Sequence, residues 1–392
     1  MVNQHGIIRS YLIVKCLETA GLGWIASTYV LFLIQRGLTA AQTTQVNTIF
    51  MTSNFFFELP TGALADIVGQ FPIYILGLFI FVGGTFLYGI GTNFAQFAFC
   101  EGTAAVGTSL MSEALEALLT NIVGVDEAKI VMSKEGVYAR LATIPTALLG
   151  GLIGAKFGLQ IPWFFAGATL LAAAIYGTIT LRKYHKKPKG DSHKIVEHVK
   201  KLLGQIKEGT LLIVSKPETR KALYVAAALN AFTQAVNMFW APVLKEQAGS
   251  TWWLGLFFAA ILLSTALGAR IAKNISSTPL SFGIILVLIG LPMALIPILP
   301  PNVYLTVVLF LLHEVGRGVL PIILYIYLNK FIPNSQRSTA NSARGSVERL
   351  SRAAGLLIAG VMTDHMSLIE TWLVSGVCLI VVGLWTIKNA RE

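Results

Sequence analysis

Apolar stretches of roughly membrane-spanning length follow one another along the whole chain, separated by short breaks rich in glycine and polar residues. A helix needs about 20 apolar residues to cross a bilayer. The stretches are continuous and do not alternate between apolar and polar positions, so they predict helices and not the strands of a membrane barrel. Twelve spans fit, numbered 1 to 12, with expected bounds of 8–35, 42–67, 72–90, 94–122, 133–157, 161–181, 218–243, 252–272, 279–299, 302–331, 341–363 and 367–387.

A long polar segment, 182–217, divides this pattern into halves. The sequence therefore predicts an all-α polytopic membrane protein with an N-terminal six-helix bundle (1–181), a basic cytoplasmic linker (182–217) and a C-terminal six-helix bundle (218–392). Residues 192–215 place apolar side chains on one helical face and lysines off it, which is typical of an amphipathic helix on a membrane surface. A role as a plain connector is the equally open alternative.

Composition supports the same class of protein. Of 392 residues, 55% are hydrophobic and only 12% are charged, whereas ordinary soluble domains carry about 25% charged residues. The formal net charge is +11, but the basic residues concentrate in the segments that connect spans. With both termini on the cytoplasmic side of the inner membrane, the external loops keep only Arg36, Lys156 and Lys245, as the positive-inside rule requires. We expect no nucleic-acid partner, because no recognition motif accompanies the charge.

Enzymatic chemistry is not expected from this sequence. The three cysteines, Cys16, Cys100 and Cys378, lie in apolar segments without the spacing of a metal site or a disulfide framework. The sequence also contains no nucleophile–base constellation, no phosphate loop and no metal-spaced set of His and Cys residues. We therefore predict no metal, no cofactor and no enzyme activity.

A glycine–aspartate motif joins spans 2 and 3. Gly62, Asp66 and Gly69 stand at the spacing G-x-x-x-D-x-x-G. Glycine allows close helix approach or a tight turn, and an aspartate at the membrane edge can cap a helix or pair with a cation. The stretch resembles the signature of the major facilitator superfamily of secondary transporters, G-x-x-x-D-(R/K)-x-G-(R/K)-(R/K); a chance turn is the alternative. The basic positions of that signature hold Ile67, Gln70 and Phe71.

The two halves of the chain also resemble each other. At one constant offset, Ser133, Gly136, Arg140, Leu141 and Gly151 of span 5 match Ser342, Gly345, Arg349, Leu350 and Gly360 of span 11. Parallel repeats of this kind relate the halves of the major facilitator fold. The resemblance covers the whole chain, and it implies two six-helix bundles related by pseudo-two-fold symmetry and transport by alternating access.

Charged residues inside the spans mark the candidate transport machinery, because a charge at bilayer depth normally faces a cavity or a partner. Spans 1, 4, 7 and 10 line the cavity in the family that the chain resembles, so Glu18 and Glu314 are the leading candidates for proton coupling, with Glu58 as a third. A low dielectric disfavours the charged form of a carboxyl group and so permits proton exchange. Glu101 is expected nearer to the external end of span 4 and outside the coupling machinery.

A permanent ion pair is the equally open alternative for both leading carboxylates. Lys15 lies one helical turn from Glu18, and Arg317 lies one turn from Glu314, so each can pair on one helix face. Arg352 of span 11 is a second possible partner for Glu314.

A second set of residues is predicted to form a conformational latch at the cytoplasmic end of the spans. Arg140 and Glu116 lie at similar depths, so Arg140 is expected to pair with Glu116 or Glu113. The resemblance further implies that Asp66 meets the start of span 11 in the outward-open state. The full predicted latch comprises Gly62, Asp66, Gly69, Glu113, Glu116, Arg140, Arg344, Arg349 and Arg352.

Aromatic and polar residues near these charges are the candidates for a substrate cavity. Asn230, Gln234 and Asn237 follow one face of span 7, and a polar stripe that faced lipid would be costly. Ordinary packing is the alternative for the aromatic residues, and a structural hydrogen bond is the alternative for the histidine. The full set is Trp24, Tyr29, Asn230, Gln234, Asn237, Trp240 and His313.

These features predict a proton-coupled exporter of small amphipathic molecules. Its expected partners are a small-molecule substrate, protons and membrane lipids, and its expected state is a monomer. A proton symporter for a small polar metabolite is the first alternative. A membrane receptor or scaffold without transport is the second, and the carboxylates inside the spans argue against it.

Overall fold

The regular structure of the described residues is helical. The computed structural model describes residues 4–112, 114–185, 204, 207–333 and 336–390, and at positions 59, 62, 63, 66 and 338 it describes the backbone alone. The helices are α1 (Gln4–Ala26), α2 (Tyr29–Gln35), α3 (Ala40–Val68), α4 (Gln70–Ile90), α5 (Phe94–Met111), α6 (Ala114–Val123), α7 (Val125–Phe157), α8 (Ile161–Leu181), α9 (Pro217–Phe232), α10 (Gln234–Ala248), α11 (Leu254–Ile271), α12 (Pro279–Ile298), α13 (Val303–Phe331), α14 (Arg337–Thr363) and α15 (Glu370–Lys388).

Most of these helices have the length and composition of membrane spans. Among the described residues, eight helical segments are each long and apolar enough to cross a membrane, and the bent pair α1–α2 would make a ninth. The other predicted spans coincide with α3, with α5 and α6, and with α14, which carry polar residues such as Glu58, Glu101 and Arg352. The all-α, multi-pass class that the sequence predicts is confirmed.

The helices gather into two compact units. The first comprises Met1–Leu38, Ile49–Leu202 and Ser250–Phe258, and the second comprises Thr39–Thr48, Leu203–Gly249 and Ala259–Glu392. In the first unit α1 packs against α7 and α8, and α4 packs against α5 and α8. In the second unit α12 packs against α13 and α15, and α9 packs against α14. The division into bundles at residues 182–217 stays a prediction.

The core of the first unit contains two tyrosines among its apolar side chains. Tyr11, Tyr74, Leu115 and Leu170 are fully buried members of one cluster. A buried tyrosine hydroxyl normally needs a hydrogen-bond partner. The core therefore includes hydroxyl groups that need hydrogen-bond acceptors or donors nearby.

Glycines bring α12 and α15 into backbone contact. A Cβ atom built on Gly290 would lie 2.5 Å from the carbonyl oxygen of Gly376, and one built on Gly283 would lie 2.6 Å from that of Gly383. A side chain at either position would push the partner helix away. Small residues permit this close approach in membrane bundles, and we call the contact the glycine seam.

Breaks divide three predicted spans within the described residues, where the sequence predicts continuous helices. Span 1 bends by 46° between α1 and α2, span 4 is interrupted at Ser112, where ψ is 130°, and span 7 is interrupted at Thr233. Each break contains a serine or threonine, whose hydroxyl competes for backbone hydrogen bonds. Thr233 Oγ1, for example, donates to the Leu229 carbonyl oxygen at 2.8 Å.

Helix ends differ from the prediction where the sequence is polar. Helix α7 starts at Val125 and α14 at Arg337, whereas the predicted spans start at 133 and 341. Their first turns are polar, so hydropathy does not reveal them. Most of the predicted surface helix at 192–215 lies outside the described residues; its last part, 207–215, is helical.

Candidate functional site

Glu18 of α1 lies in a buried ion pair. Its Oε2 atom is 3.4 Å from Nζ of Lys15, which precedes it by one turn on the same helix. The fully buried Tyr74 of α4 donates a hydrogen bond from its hydroxyl to Glu18 Oε1. Glu116 and Glu135 add negative charge near Lys15. The carboxylate is thus held by a cation and a hydroxyl, and its role in proton coupling stays a prediction.

Glu101 of α5 lies in an aromatic cluster of the first unit. Tyr29 and Tyr88 both donate hydrogen bonds to its Oε1 atom, at 2.7 and 3.1 Å. Tyr88 in turn stacks on Trp163, with ring centroids 4.0 Å apart and planes 9° from parallel. Among the described residues no Lys, Arg or His forms an ion pair with this carboxylate, which is 7% exposed. Glu101 is therefore a buried carboxyl group held by neutral donors, in contrast to Glu18.

The tyrosines of α4 are functional candidates that the sequence reasoning missed. Tyr74 and Tyr88 lie about four helical turns apart, on one face of α4, and each reaches a buried carboxylate on another helix. The sequence does carry a signal for them, because a tyrosine inside an apolar span needs a partner for its hydroxyl. Tyr29 donates a hydrogen bond to Glu101, and its role as a cavity residue stays a prediction.

Glu314 of α13 pairs with Arg317 in the second unit. Arg317 Nη1 is 2.7 Å from Glu314 Oε1, and the same nitrogen donates to Oδ1 of Asn237 in α10 at 2.5 Å. His313 lies beside the pair, with Nε2 3.7 Å from Glu314 Oε1 and Nδ1 3.4 Å from the Ile289 carbonyl oxygen. Glu314 and His313 are buried, whereas Arg317 is partly exposed. Of the two partners that the sequence offers Glu314, the structure selects Arg317.

Arg352 of α14 contacts an amide of α9. Its Nε atom donates to Asn230 Oδ1 at 2.7 Å, and its Nη2 atom lies 3.9 Å from Glu348 Oε2. Arg344 shares the same carboxylate, with Nε 3.5 Å from Glu348 Oε1. Asn230 and Asn237, predicted to line a cavity, therefore each hold an arginine.

The remaining cavity candidates lie in packed surroundings. Trp24 Nε1 donates to Thr169 Oγ1 at 3.0 Å, and its ring stacks on Phe165 with centroids 4.9 Å apart. Gln234 Nε2 donates to a backbone carbonyl of the preceding turn at 2.7 Å. Gln234 and Trp240 are both buried. A substrate role for these residues stays a prediction.

The glycine–aspartate motif is described only in part. Gly69 has a φ of 108° between α3 and α4, a conformation that favours glycine. The side chain of Asp66 and the whole of Glu113 lie outside the described residues, and Gly62 is described by its backbone alone. The expected contact of Asp66 with span 11 therefore stays a prediction.

Arg140 does not form the expected pair with Glu116. It is exposed on α7, and no ion pair joins it to another described residue. The break at Ser112 starts a separate helix, α6, which packs against α1, and this arrangement brings Glu116 toward Lys15. A pair between Arg140 and Glu113 stays a prediction.

Three other candidates lie half-buried in their helices: Glu58 on α3, and Arg344 and Arg349 on α14. The Glu58 carbonyl oxygen accepts a hydrogen bond from Thr61 Oγ1 at 3.2 Å. The Arg344 guanidinium lies over the ring of Tyr325, 5.3 Å from its centroid. Their roles in coupling or in the latch stay predictions.

Charge pairing and hydrogen bonding are the chemistry that the described residues offer. Among them, no three His, Cys, Asp or Glu side chains gather into a group that could hold a metal ion. The groups that do gather are carboxylates with guanidinium or ammonium partners and carboxylates with tyrosine hydroxyls. Such groups suit the binding of protons and of charged or polar small molecules.

Comparison with known sequences extends over nearly the whole chain. A sequence model described as the Major Facilitator Superfamily matches residues 12–251 and 223–392. The uncharacterized MFS-type transporter YxaM of Bacillus subtilis (strain 168) is 23% identical over 95% of this chain and 94% of that protein. Multidrug resistance protein 2 of the same organism is 30% identical over 31% of this chain and 30% of that protein.

Solved structures agree in fold. The nucleoside transporter NupG superposes with a TM-score of 0.78 at 13% identity, over 98% of this chain and 99% of that chain. A peptide transporter POT in complex with sulfate superposes with a TM-score of 0.76 at 14% identity, over 98% of this chain and 94% of that chain. At these identities the likeness concerns the fold alone. Because the family model covers more than half of the sequence and the fold agrees, the chain belongs to the major facilitator superfamily.

Proposed function

We propose that this chain is a proton-coupled secondary transporter that exports small amphipathic molecules by alternating access. The observation that carries the proposal is that two buried carboxylates each lie beside a cation on their own helix. Glu18 is 3.4 Å from Lys15, and Glu314 is 2.7 Å from Arg317. Ionisable residues inside membrane spans are rare and mark proton or substrate pathways.

In each of these ion pairs, protonation of the carboxylate would break the salt bridge. Protonation neutralises the carboxylate and removes its attraction for the neighbouring cation. Conformations in which the pair is open then become more populated relative to those in which it is closed. A substrate that prefers one of these conformations is coupled to the proton through the equilibrium, without touching Glu18 or Glu314.

We propose export as the direction of transport because of the likeness to one sequence relative. The stretch similar to Multidrug resistance protein 2 covers 31% of this chain, and that name describes the relative alone. We include export of amphipathic molecules in the proposal on this likeness.

A proton symporter for a small polar metabolite is the second candidate. The contacts of Asn237 with Arg317 at 2.5 Å and of Asn230 with Arg352 at 2.7 Å favour it, because they gather polar groups inside helices of the second unit. Uptake that rises when the inside is more alkaline than the outside would distinguish symport from export.

The family and the helices support part of the proposed cellular setting. The chain is a multi-pass membrane protein. We propose further that it lies in the inner membrane as a monomer in contact with lipids, with both termini and the basic segment 182–217 in the cytoplasm. The motif of Asp66 and Gly69 would then act at the cytoplasmic ends of the helices.

Flux measurements in proteoliposomes test the coupling. The purified protein is reconstituted, and a panel of small amphipathic compounds is offered with and without an imposed pH gradient. Glu18→Gln and Glu314→Gln keep shape and hydrogen bonding but cannot ionise, so at least one should still bind substrate and lose the dependence of flux on the gradient. Glu246→Gln changes an exposed residue of α10 and should behave as the parent protein does.

Two results would count against the proposal. If both Gln variants keep the parent's dependence of flux on the pH gradient, neither carboxyl group carries the coupling. If no compound moves faster under either sign of the gradient, transport is not driven by protons.

A further inference from the structure

Two arginines of the second unit are each held by an asparagine on a different helix. Arg317 Nη1 donates to Asn237 Oδ1 at 2.5 Å, and Arg352 Nε donates to Asn230 Oδ1 at 2.7 Å. The Asn230 amide is itself fixed, because its Nδ2 atom donates to the Ala226 carbonyl oxygen at 2.8 Å. An arginine that is already oriented loses less freedom when it binds a ligand.

Two arginines share one carboxylate near Arg352. Glu348 is the carboxylate beside Arg352, at 3.9 Å, and Arg344 shares it at 3.5 Å. Glu348 attracts Arg352, and Arg349 and Arg317 lie close enough for their like charges to oppose that attraction in part. Glu314 is engaged by Arg317 at 2.7 Å. An anion near Arg352 would therefore add to the attraction that the single Glu348 carboxylate gives to two arginines.

The two arginine side chains are also partly exposed. The side chains of Arg317 and Arg352 are 25% and 40% exposed, whereas that of Glu314 is 2% exposed. A guanidinium group that faced hydrocarbon would be costly, so the exposed faces of these arginines are expected to meet water. A dissolved molecule can then reach the arginines but not the buried carboxylate.

Arginine chemistry determines what such a molecule must carry. A guanidinium group has five N–H donors in a planar fork and accepts no hydrogen bond. Asn230 engages the Nε atom of Arg352, whereas the Nη2 atom lies 3.9 Å from Glu348 Oε2, beyond hydrogen-bond distance. The fork matches the paired oxygens of a carboxylate, a phosphate or a sulfonate.

We propose that Arg317 and Arg352 bind an anionic group of the transported molecule, so that the substrate is an amphipathic anion carrying a carboxylate, phosphate or sulfonate. This assignment rests on the proposed transport function and names the class of its substrate. In it, Asn230 and Asn237 are positioning residues, because they orient the arginines and need not touch the ligand.

Three probes with one ring system and different charges test the site. 2-Naphthalenesulfonate is an anion, 2-naphthylmethylammonium a cation and 2-naphthylmethanol neutral. Their binding to the purified full-length protein is measured by equilibrium dialysis in detergent, with protein-free micelles subtracted. The anion is expected to bind saturably and at least tenfold more tightly than the other two, and inorganic sulfate should displace it.

Variants assign the binding to the arginine. Arg352→Gln keeps a hydrogen-bond donor for Asn230 but removes the charge, and it should weaken binding of the anionic probe at least tenfold. Arg352→Lys keeps the charge without the fork and should weaken it less. Arg220→Gln removes the same charge from an exposed position on α9 and should bind the probe as the parent does.

Each opposite result overturns the site. These results are equal binding of the three probes, no saturable binding of the anion, no displacement by sulfate, or unchanged binding in Arg352→Gln. The sulfate measurement uses the parent protein, so a failure of sulfate to displace the anion overturns the site even if Arg352→Gln does not fold.

The outcome is separable from the test of coupling. Loss of the anion preference together with flux that follows a pH gradient would remove this site and leave the transport proposal. Anion binding that depends on Arg352, without any effect of a pH gradient on flux, would keep this site and remove the proposal of proton-coupled transport.

Discussion

Tyr29 is the first residue of α2, and its hydroxyl donates a 2.7 Å hydrogen bond to the carboxylate of Glu101 in α5. Helices α1 and α2 form one predicted span that bends by 46°. The bond therefore helps to fix the direction that α2 takes after the bend. Tyr88 of α4 donates to the same oxygen at 3.1 Å, so Glu101 joins three helices of the first unit.

Removing the Tyr29 hydroxyl should destabilise the first unit. Tyr29→Phe keeps the ring and deletes one donor to a buried carboxylate. The free energy of unfolding should fall by about 1 kcal/mol, the scale of polar pairs in membrane bundles. Unfolding in mixed micelles with a denaturing detergent measures it. Tyr304→Phe, at an 81% exposed position, is the control and should change little.

A double-mutant cycle assigns the loss to the pair. Tyr29→Phe and Glu101→Ala should together cost less than the sum of their separate effects, because each removes the same hydrogen bond. Strict additivity would show that the hydroxyl and the carboxylate act independently.

Arg317 and Glu314 should respond unequally to substitution. Arg317→Ala leaves the 2% exposed Glu314 side chain without its cation, and breaking a buried pair in this way costs about 3–5 kcal/mol. Glu314→Gln should cost less, because Arg317 is 25% exposed and keeps its bond to Asn237. Detergent unfolding of both variants tests this order.

Acid and a second substitution should each rescue Arg317→Ala. Lowering the pH protonates the unpaired carboxyl group in the folded state, and stability should rise. Adding Glu314→Gln removes the same buried charge and should recover most of the loss at neutral pH. If neither change helps, the arginine stabilises the unit through packing and not through charge.

The glycine seam should not tolerate a methyl group. A Cβ atom at position 290 would lie 2.5 Å from the Gly376 carbonyl oxygen, and overpacking of this kind costs about 1–3 kcal/mol. Gly290→Ala should therefore lower the free energy of unfolding by an amount in that range.

Gly345→Ala is the matched control for the seam. A Cβ atom there meets nothing within 4 Å. Since glycine inside a helix is less stable than alanine by about 0.5–1 kcal/mol, this variant should be neutral or slightly stabilised. Equal losses of unfolding free energy in the two variants would mean that the close helix contact does not explain the glycine at position 290.

Cysteine labelling tests the orientation in the membrane. In a background without Cys16, Cys100 and Cys378, Ser192→Cys should resist an impermeant thiol reagent in intact cells and react after the membrane is opened. Glu246→Cys, at an exposed position that the orientation puts outside, should react in both conditions. Labelling of position 192 in intact cells would reverse the proposed orientation.

The positions of the spans could be predicted because span length is a local property set by bilayer thickness. The predicted bounds 161–181 coincide with α8, and 302–331 differ from α13 by one residue. The breaks could not be placed, because a threonine hydroxyl also bonds to the backbone inside unbroken helices, as Thr85 does in α4. Thr28 and Thr233 look in the sequence like other threonines inside apolar stretches.

The contacts of the site also divide into those that the sequence could predict and those that it could not. Lys15 with Glu18 and Glu314 with Arg317 lie one turn apart on single helices, so spacing alone predicts that they can pair. The bonds of Tyr74 to Glu18 and of Arg352 to Asn230 join different helices. They depend on how each helix is rotated about its axis, and side-chain periodicity does not fix that rotation.

Because their backbones approach closely across the glycine seam, we expect α12 and α15 to move together as one rigid pair. The close approach occurs at two places, Gly290–Gly376 and Gly283–Gly383. A pair of spectroscopic labels placed one on each of these helices should therefore keep a constant separation while the protein cycles. Such a pair would serve as an internal ruler, against which the movement of any other helix can be measured.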